Sequence, residues 1–371
     1  MMNNPVPRRL VGLALYAVTL PFAHAQSSLS VTGHMDGGVD YISNQNGAKS
    51  VLFDSGILAP NLLTIKGRED LGGGNSALFA LTSQFDLGTG QTIPQAGDIF
   101  NRTALVGIEN SHWGSITFGT QYDFMFSTLT LNRFDGAFLY GGLYGFRQGP
   151  FSALGVPENP TGAFDFDRMA GATRVSNAVR YETPRMAGMQ AGAMYGFGGA
   201  PGSLAKDSTM SFGASYVRGP FAMGAAYVDV RYPELDGGYG SIRNYGVGAH
   251  YEFRQLIAML LYTNTRNTQS GGAVDVYKVG GYWQPAGPWA YGIDYQFMRG
   301  NAELQHNHAH QITTAIQYNF SKRTTAYAEA IYQRASGDND AQAWINGLLQ
   351  ADGGSSSQNQ ALVRIGLQTR F

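Results

Sequence analysis

From "SLSVTGHMDGGVDY" onward the chain alternates hydrophobic and polar positions with a period of two, the signature of strands that meet two different environments. Leu29, Val31, Met35, Val39 and Tyr41 fall on one face, and Ser30, Thr32, His34, Asp36 and Asp40 on the other. "WAYGIDYQF" sets Trp289, Tyr291, Ile293, Tyr295 and Phe297 against Ala290, Gly292, Asp294 and Gln296. "QITTAIQYNF" repeats the pattern. In the closing "ALVRIGLQTRF", Val363, Ile365, Leu367 and Phe371 oppose Leu362, Arg364, Gln368 and Arg370. Two segments are apolar on both faces, "LIAMLLY" and "TALVGI". They suggest inward apolar residues, near Ala104 and Val106 in the second case, packed beneath a loop.

Gly, Pro, Asn and Ser mark tight connectors at "EDLGGGNS", "ENSHWG", "TPRMAG", "VRGPF", "YEFRQL", "QPAGP" and "NFSKRT". Longer connections are expected at 43–56, 88–99, 122–173, 198–206, 232–241, 266–273, 300–309 and 336–359. Seven turns and eight loops join sixteen strands, with both ends of the sheet on the short-turn side. The 122–173 connection is far longer than an ordinary loop and dense in aromatics. Folding inward is its favoured reading.

Composition then selects the solvent. Charged residues make up 14% of the 371, against roughly 25% in soluble domains, while Gly numbers 50 and Tyr and Phe 21 each. Cysteine is absent, so no disulfide holds the fold. Arg8 and Arg9 precede the apolar stretch Leu10 to Phe22, which ends at Ala23-His24-Ala25. This pattern reads as a secretory signal peptide over 1–25 and a barrel domain over 26–371. Thirteen apolar-rich residues are too short for a membrane-spanning helix, and no longer run follows. An exported, charge-poor, aromatic- and glycine-rich chain of alternating segments fits an all-β transmembrane antiparallel β-barrel of 16 strands, with the long third loop folded into a water-filled lumen. The last strand must then pair with the first, because an open edge in lipid leaves backbone groups unsatisfied.

The near-neutral balance points to no nucleic-acid partner. His306, His308 and His310 share a strand face, but no carboxylate or cysteine completes a metal set, and solvated rim histidines are expected. No cofactor or metal site is expected. His34 and Asp36 share a face without a serine motif, so no catalytic constellation is assigned.

Six phrases, in order, resemble the trimeric general-diffusion porins of the Gram-negative outer membrane, the betaproteobacterial group in particular: "GREDLGGG" (67–74), "TFGTQYD" (117–123), "GAMYGFG" (192–198), "FGASYVRGPFAMGAAY" (212–227), "FSKRTTAYA" (320–328) and "IGLQTRF" (365–371). The resemblance implies a homotrimer in the outer membrane, in contact with its lipid and lipopolysaccharide. It also implies passage of small hydrophilic solutes, and a terminal Phe371 read by the barrel-assembly machinery. It sets basic wall residues against acids of the third loop. Lys66, Arg102 and Arg174 fall where the family carries wall cations, and Asp135, Asp165 and Asp167 supply the loop acids. Leu62 and Thr120 stand where the family has arginines, so weak anion selectivity is expected. The alternatives are a specific channel for small aromatic or organic anions, suggested by the loop's Phe and Tyr, and a second role in adhesion through the 336–359 loop.

Overall fold

The computed structural model describes residues 27–93, 97–338, 341–349 and 352–371; the signal-peptide segment lies outside the described residues. Its strands are β1 (Ser28–Gln45), β2 (Ala48–Ser55), β3 (Leu62–Gly72), β4 (Asn75–Gln84), β5 (Thr103–Asn110), β6 (Gly114–Gln121), β7 (Val175–Glu182), β8 (Met189–Gly196) and β9 (Thr209–Arg218). There follow β10 (Phe221–Arg231), β11 (Ser241–Phe253), β12 (Leu256–Asn267), β13 (Ala273–Trp283), β14 (Trp289–Gly300), β15 (His308–Asn319), β16 (Thr324–Ser336) and β17 (Asn359–Arg370). Each pairs antiparallel with its neighbour, and β17 returns to β1, from Ile42 opposite Leu362 to His34 opposite Arg370. The sheet is closed, so no edge meets lipid.

Seventeen segments make sixteen wall strands because β2 and β3 are two halves of one. β1 pairs with both, Gly37 opposite Ser55 and His34 opposite Leu62. Between Ser55 and Leu62 the chain leaves the sheet, and Asp36 holds the excursion. Its backbone N–H donates to Asn61 Oδ1 at 2.7 Å, its carbonyl accepts from Gly56, and its carboxylate accepts from the backbone of Ile57 and Leu58. This corrects the expected first loop at 43–56. Asn46 and Gly47, both at positive φ, form a two-residue hairpin turn, and the irregularity begins nine residues after Gly47. All seven expected tight turns lie between consecutive strands.

Alternation sorts the two faces as the sequence pattern requires. Leu29 is 70% exposed and Ile365 68%, while Asp36, Asp40 and Arg364 on the opposite face are fully buried. The outward residues belong to lipid, where an exposed apolar side chain costs nothing. Val106 also faces outward, 58% exposed. The inward residues of its strand are Thr103, Leu105 and Gly107, in register with Thr82, Ala80 and Leu78, so the expectation for Ala104 and Val106 was one residue out of phase. In "LIAMLLY" the inward Met259 and Leu261 are buried, beside Tyr140 and within the cluster around Phe124 and Phe134.

Residues 122–174 pack against the inward side of β7–β17 and reach β1 and β2. A single π-helical turn (Met125–Thr130) lies on β9, β10 and β11. Wall side chains hydrogen-bond the backbone beyond it: Asn244 to Phe166 O, Asn267 to Leu154 O, Gln311 to Tyr144 O and Gln317 to Leu139 O. Glycines open sockets for the loop's aromatics. A Cβ at Gly292 would come within 2.2 Å of the Tyr140 ring, and one at Gly248 within 2.6 Å of Phe134. The described residues of the 337–358 connection close over this layer. Gly149 N donates to Trp344 O, and Asn346 Nδ2 donates to Leu143 O.

Candidate channel lining

The long connection leaves the wall at Tyr122, and two of the three expected wall cations meet there. The Arg102 and Arg174 guanidinium carbons lie 5.5 Å and 5.7 Å from the centroid of the Tyr122 ring. Arg102 donates from Nε to the Tyr122 hydroxyl at 2.5 Å and from its terminal nitrogen to Gln84 Oε1. Arg174 donates to the carbonyls of Gly171, Ala172 and Asn101 at 2.6, 2.8 and 3.0 Å. Every hydrogen-bond acceptor in this group is neutral. Burial first, and the Arg102 charge second, push the Arg174 guanidinium down to about 9, still protonated at neutral pH. Arg102 is only 5% exposed and Arg174 half-buried.

Lys66 lies apart from the pair, on the inward side of β3 in register with Ala80 of β4. It is exposed and makes no hydrogen bond or ion pair among the described residues. Leu62 occupies the same inward face two alternate positions toward the loops, beyond Thr64 and opposite Gln84. Thr120 pairs with Ala104 instead, on the outward alternate of β5.

The three expected loop acids sit elsewhere. Asp135, Asp165 and Asp167 are buried in the layer between the connection and the β11–β14 wall. A fully buried guanidinium, Arg147, joins two of them, contacting Asp135 and donating from Nε to Asp167 Oδ2 at 2.8 Å. From the wall, Lys278 Nζ reaches Asp135 at 2.8 Å, and the Thr263 hydroxyl donates to Asp167 at 2.8 Å. Asp135 also caps the turn Gly136–Phe138 by accepting from Ala137 N. Burial alone would raise its carboxyl, but Arg147 and Lys278 outweigh that and hold it at about 2. Asp165 has no cation in hydrogen-bond contact among the described residues. It accepts from the backbone of Ala170 and Ala172, and burial with the neighbouring Asp167 charge pushes it up to about 7.

Sequence reasoning did not reach Arg147, Lys278 or Tyr122. Their partners lie far along the chain or depend on how the connection folds, and no spacing signals them. Arg364 was closer to hand. It contacts Asp40 at 2.6 Å and Asp36 at 3.2 Å, and all three were already on the polar alternates of the first and last strands. Register alone was missing. His34 and Asp36 are committed to other partners, His34 Nε2 to Gln368 at 2.9 Å and Asp36 to Arg364 and the Tyr327 hydroxyl. Exposed His310 stacks on Phe297 and contacts the Tyr295 hydroxyl on the outward face.

The inward positions thus divide into two walls. On β13–β16, Val276, Gln296, Gln311, Thr313 and Gln333 are fully covered. On β3–β6, Lys66 is open and Leu78, Ala80, Leu105 and Thr117 are partly so. Open lumen follows the second wall.

Comparison with known proteins agrees with this architecture. The family model described as Gram-negative porin matches residues 12–339. Outer membrane porin protein 32 of Delftia acidovorans is 26% identical over 374 residues, covering 98% of this chain and 99% of that protein. An outer membrane porin protein of Bordetella pertussis is 26% identical over 294 residues, 71% of each chain. Among solved structures, an anion-selective porin from Comamonas acidovorans superposes with a TM-score of 0.77 at 22% identity, covering 93% of this chain and all of that one. The trimer form of OmpT from Vibrio cholerae gives 0.63 at 12% identity, over 93% and 99% of the two chains. A closed barrel of sixteen wall strands, an outward apolar face, an open inward wall and a family match over most of its length together make this chain a member of the Gram-negative porins, a diffusion channel of the outer membrane.

Proposed function

We propose that the pore is a passive channel for small hydrophilic solutes with a weak preference for anions. One observation carries this reading: among the described residues the cations of the open wall have no acidic partner in contact, whereas Asp135 and Asp167 are buried and matched by cations. Lys66 is free, and Arg102 and Arg174 contact only neutral acceptors. A narrow, poorly screened passage focuses such a field on passing ions. The Comamonas porin of similar fold is itself described as anion-selective. The preference stays weak because Leu62 adds no charge to the wall and Thr120 belongs to the outward face. A specific site for aromatic anions has less support. The loop aromatics that suggested it, including Phe124, Phe134, Tyr140, Tyr144, Phe146 and Phe151, are buried against the wall and not presented to solutes.

The same reading includes a signal peptide over 1–25, a homotrimer, contact with lipopolysaccharide, and Phe371 as an assembly signal. The trimer form of the OmpT structure supports the third-order assembly. The 336–359 loop contributes buried Ala343, Ile345 and Leu348 to the inner packing, which favours a scaffold role over adhesion.

The test is the reversal potential of the purified protein in a planar bilayer under a salt gradient. Wild type should show the sign of anion preference, and Lys66→Glu, an exposed change compatible with folding, should reduce or invert it. A cation-selective wild type overturns the proposal, as does a Lys66→Glu channel with an unchanged potential.

A further inference from the structure

The open wall is not uniformly polar. Three inward positions lie side by side across β3, β4 and β5, with Lys66 opposite Ala80 and Ala80 opposite Leu105. At the next inward position toward the short turns the row runs Arg68, Leu78, Gly107 and Thr117. Leu78, Ala80 and Leu105 are half-buried, and none of them belongs to the apolar clusters packed beneath the long connection. The Thr117 hydroxyl donates to Gln121 Oε1 at 2.6 Å, and its methyl carbon lies 2.7 Å from where a Gly107 Cβ would stand. Gly119, opposite Leu105, adds no side chain. The result is an apolar island of two leucines, an alanine and a methyl group within the open part of the barrel.

The borders of the island are polar and unequal. Toward the loops stands a row of threonines, Thr64, Thr82 and Thr103, the first two with hydroxyl oxygens 3.1 Å apart. On β3 stand two cations. Arg68 is held by Glu109 at 2.8 Å and by the Ser76 hydroxyl at 3.1 Å, whereas Lys66 is exposed and makes no hydrogen bond or ion pair among the described residues. A free ammonium therefore stands at one edge of an apolar surface that water wets. Such surface is unfavourable in water, and an apolar group that covers it is stabilised. Two strand spacings, about 9.6 Å, separate the Cα atoms of Lys66 and Leu105, so a carboxylate at the ammonium places a chain of about four to six carbons over the island.

We propose that this part of the wall is a weak binding site for short-chain aliphatic carboxylates, with the carboxylate on Lys66 and the chain on Leu78, Ala80 and Leu105. The inference rests on the passive-channel reading and names a solute class that the pore binds in preference to other ions of equal charge. Attraction between ammonium and carboxylate is strengthened in a confined passage. Inorganic anions share that attraction but bring no chain to cover the leucines. A polyhydroxylated carboxylate gains nothing there, because its hydroxyls would lose water without finding partners. The buried loop aromatics take no part. Affinity stays low, as passage requires, since a solute must bind weakly enough to leave.

The test uses the purified protein in planar bilayers bathed in potassium chloride, with acetate, butanoate, hexanoate or gluconate added while the chloride current is recorded. Hexanoate should lower the current saturably. Full burial of a methylene is worth about fourfold in binding, so a wall that covers one side of the chain should lower the half-effective concentration about twofold per methylene, or about fifteenfold from acetate to hexanoate. Gluconate, with as many carbons as hexanoate, should act like acetate. Leu78→Ser with Leu105→Ser should reduce the acetate-to-hexanoate ratio to about twofold. Lys66→Gln should weaken both carboxylates and leave that ratio in place. A wild-type ratio near one overturns the site, as does an undiminished ratio in the double serine variant or undiminished hexanoate block in Lys66→Gln. If the double serine variant forms no channels, the wild-type chain-length series and the gluconate comparison decide. A failure of the selectivity reading appears separately, in the sign of the salt-gradient potential without any carboxylate.

Discussion

At the scale of single residues, the internal layer depends on charges that never meet solvent. Removing one partner of a buried pair strands the other at roughly 3–5 kcal/mol, so Arg147 and Arg364, each of which serves two acids, are costly to lose. Asp165 differs, an acid without a cation in contact among the described residues. Its carboxyl is raised to about 7 by burial and by Asp167, whereas in an unfolded chain it titrates near 4. The folded state therefore holds the proton across the interval between those values. Stability from this group is fully present at low pH, falls as pH rises through that interval, and is lost above about 7. The connection should be more firmly docked near pH 5 than at pH 8, seen as slower amide exchange across residues 160–172. Asp165→Asn should flatten that dependence. A wild-type exchange rate independent of pH, after correction for intrinsic exchange, would refute the assignment.

At the scale of elements, the strands were legible because their signal is local. A period of two survives any tertiary context in which one face meets lipid and the other protein or water. Turns followed for the same reason, with one failure: "SNQNGA" was absorbed into a loop although Asn-Gly is a strong hairpin signal, and the excursion at 56–61 depends on Asp36, twenty residues earlier. The loop acids were misplaced for a related cause, since the folding of a fifty-residue connection is written in non-local contacts. The closing seam was legible from topology alone. There Phe371 exchanges two 3.1 Å backbone hydrogen bonds with Gly33, and its ring lies where a Gly33 Cβ would stand, 2.1 Å from the nearest ring carbon. Deleting Phe371 removes both bonds at the seam and should lower the amount of folded protein in the outer membrane several-fold, measured by heat-modifiable migration of membrane fractions. Gly33→Val displaces the ring but leaves the terminal residue. If it inserts normally while the deletion does not, Phe371 acts as a signal to be read; normal insertion of the deletion itself removes the proposal.

At the scale of the molecule, closure of the sheet fixes a cylinder, and the inward layer decides how much of it conducts. That layer packs on β7–β17 and reaches β1 and β2, leaving β3–β6 the most open part of the wall, so the aqueous path is displaced toward one side. The absence of cysteine from the whole sequence allows a direct test. A thiol placed on the open wall, at Lys66 or Thr117, should react quickly with a small charged thiosulfonate reagent and lower the single-channel conductance. A thiol at Gln296 or Thr313, at comparable depth but beneath the connection, should react far more slowly. Charge adds a second prediction from the same proteins. With Arg102 and Arg174 in place, an anionic reagent should modify Thr117→Cys faster than a cationic one of similar size, and high salt should shrink the difference as the field is screened. Equal reactivity at Thr117 and Thr313 would mean that the layer opens on the timescale of labelling and that the path runs through the centre of the barrel. Faster modification of Thr117 by the cationic reagent would reverse the sign assigned to the wall.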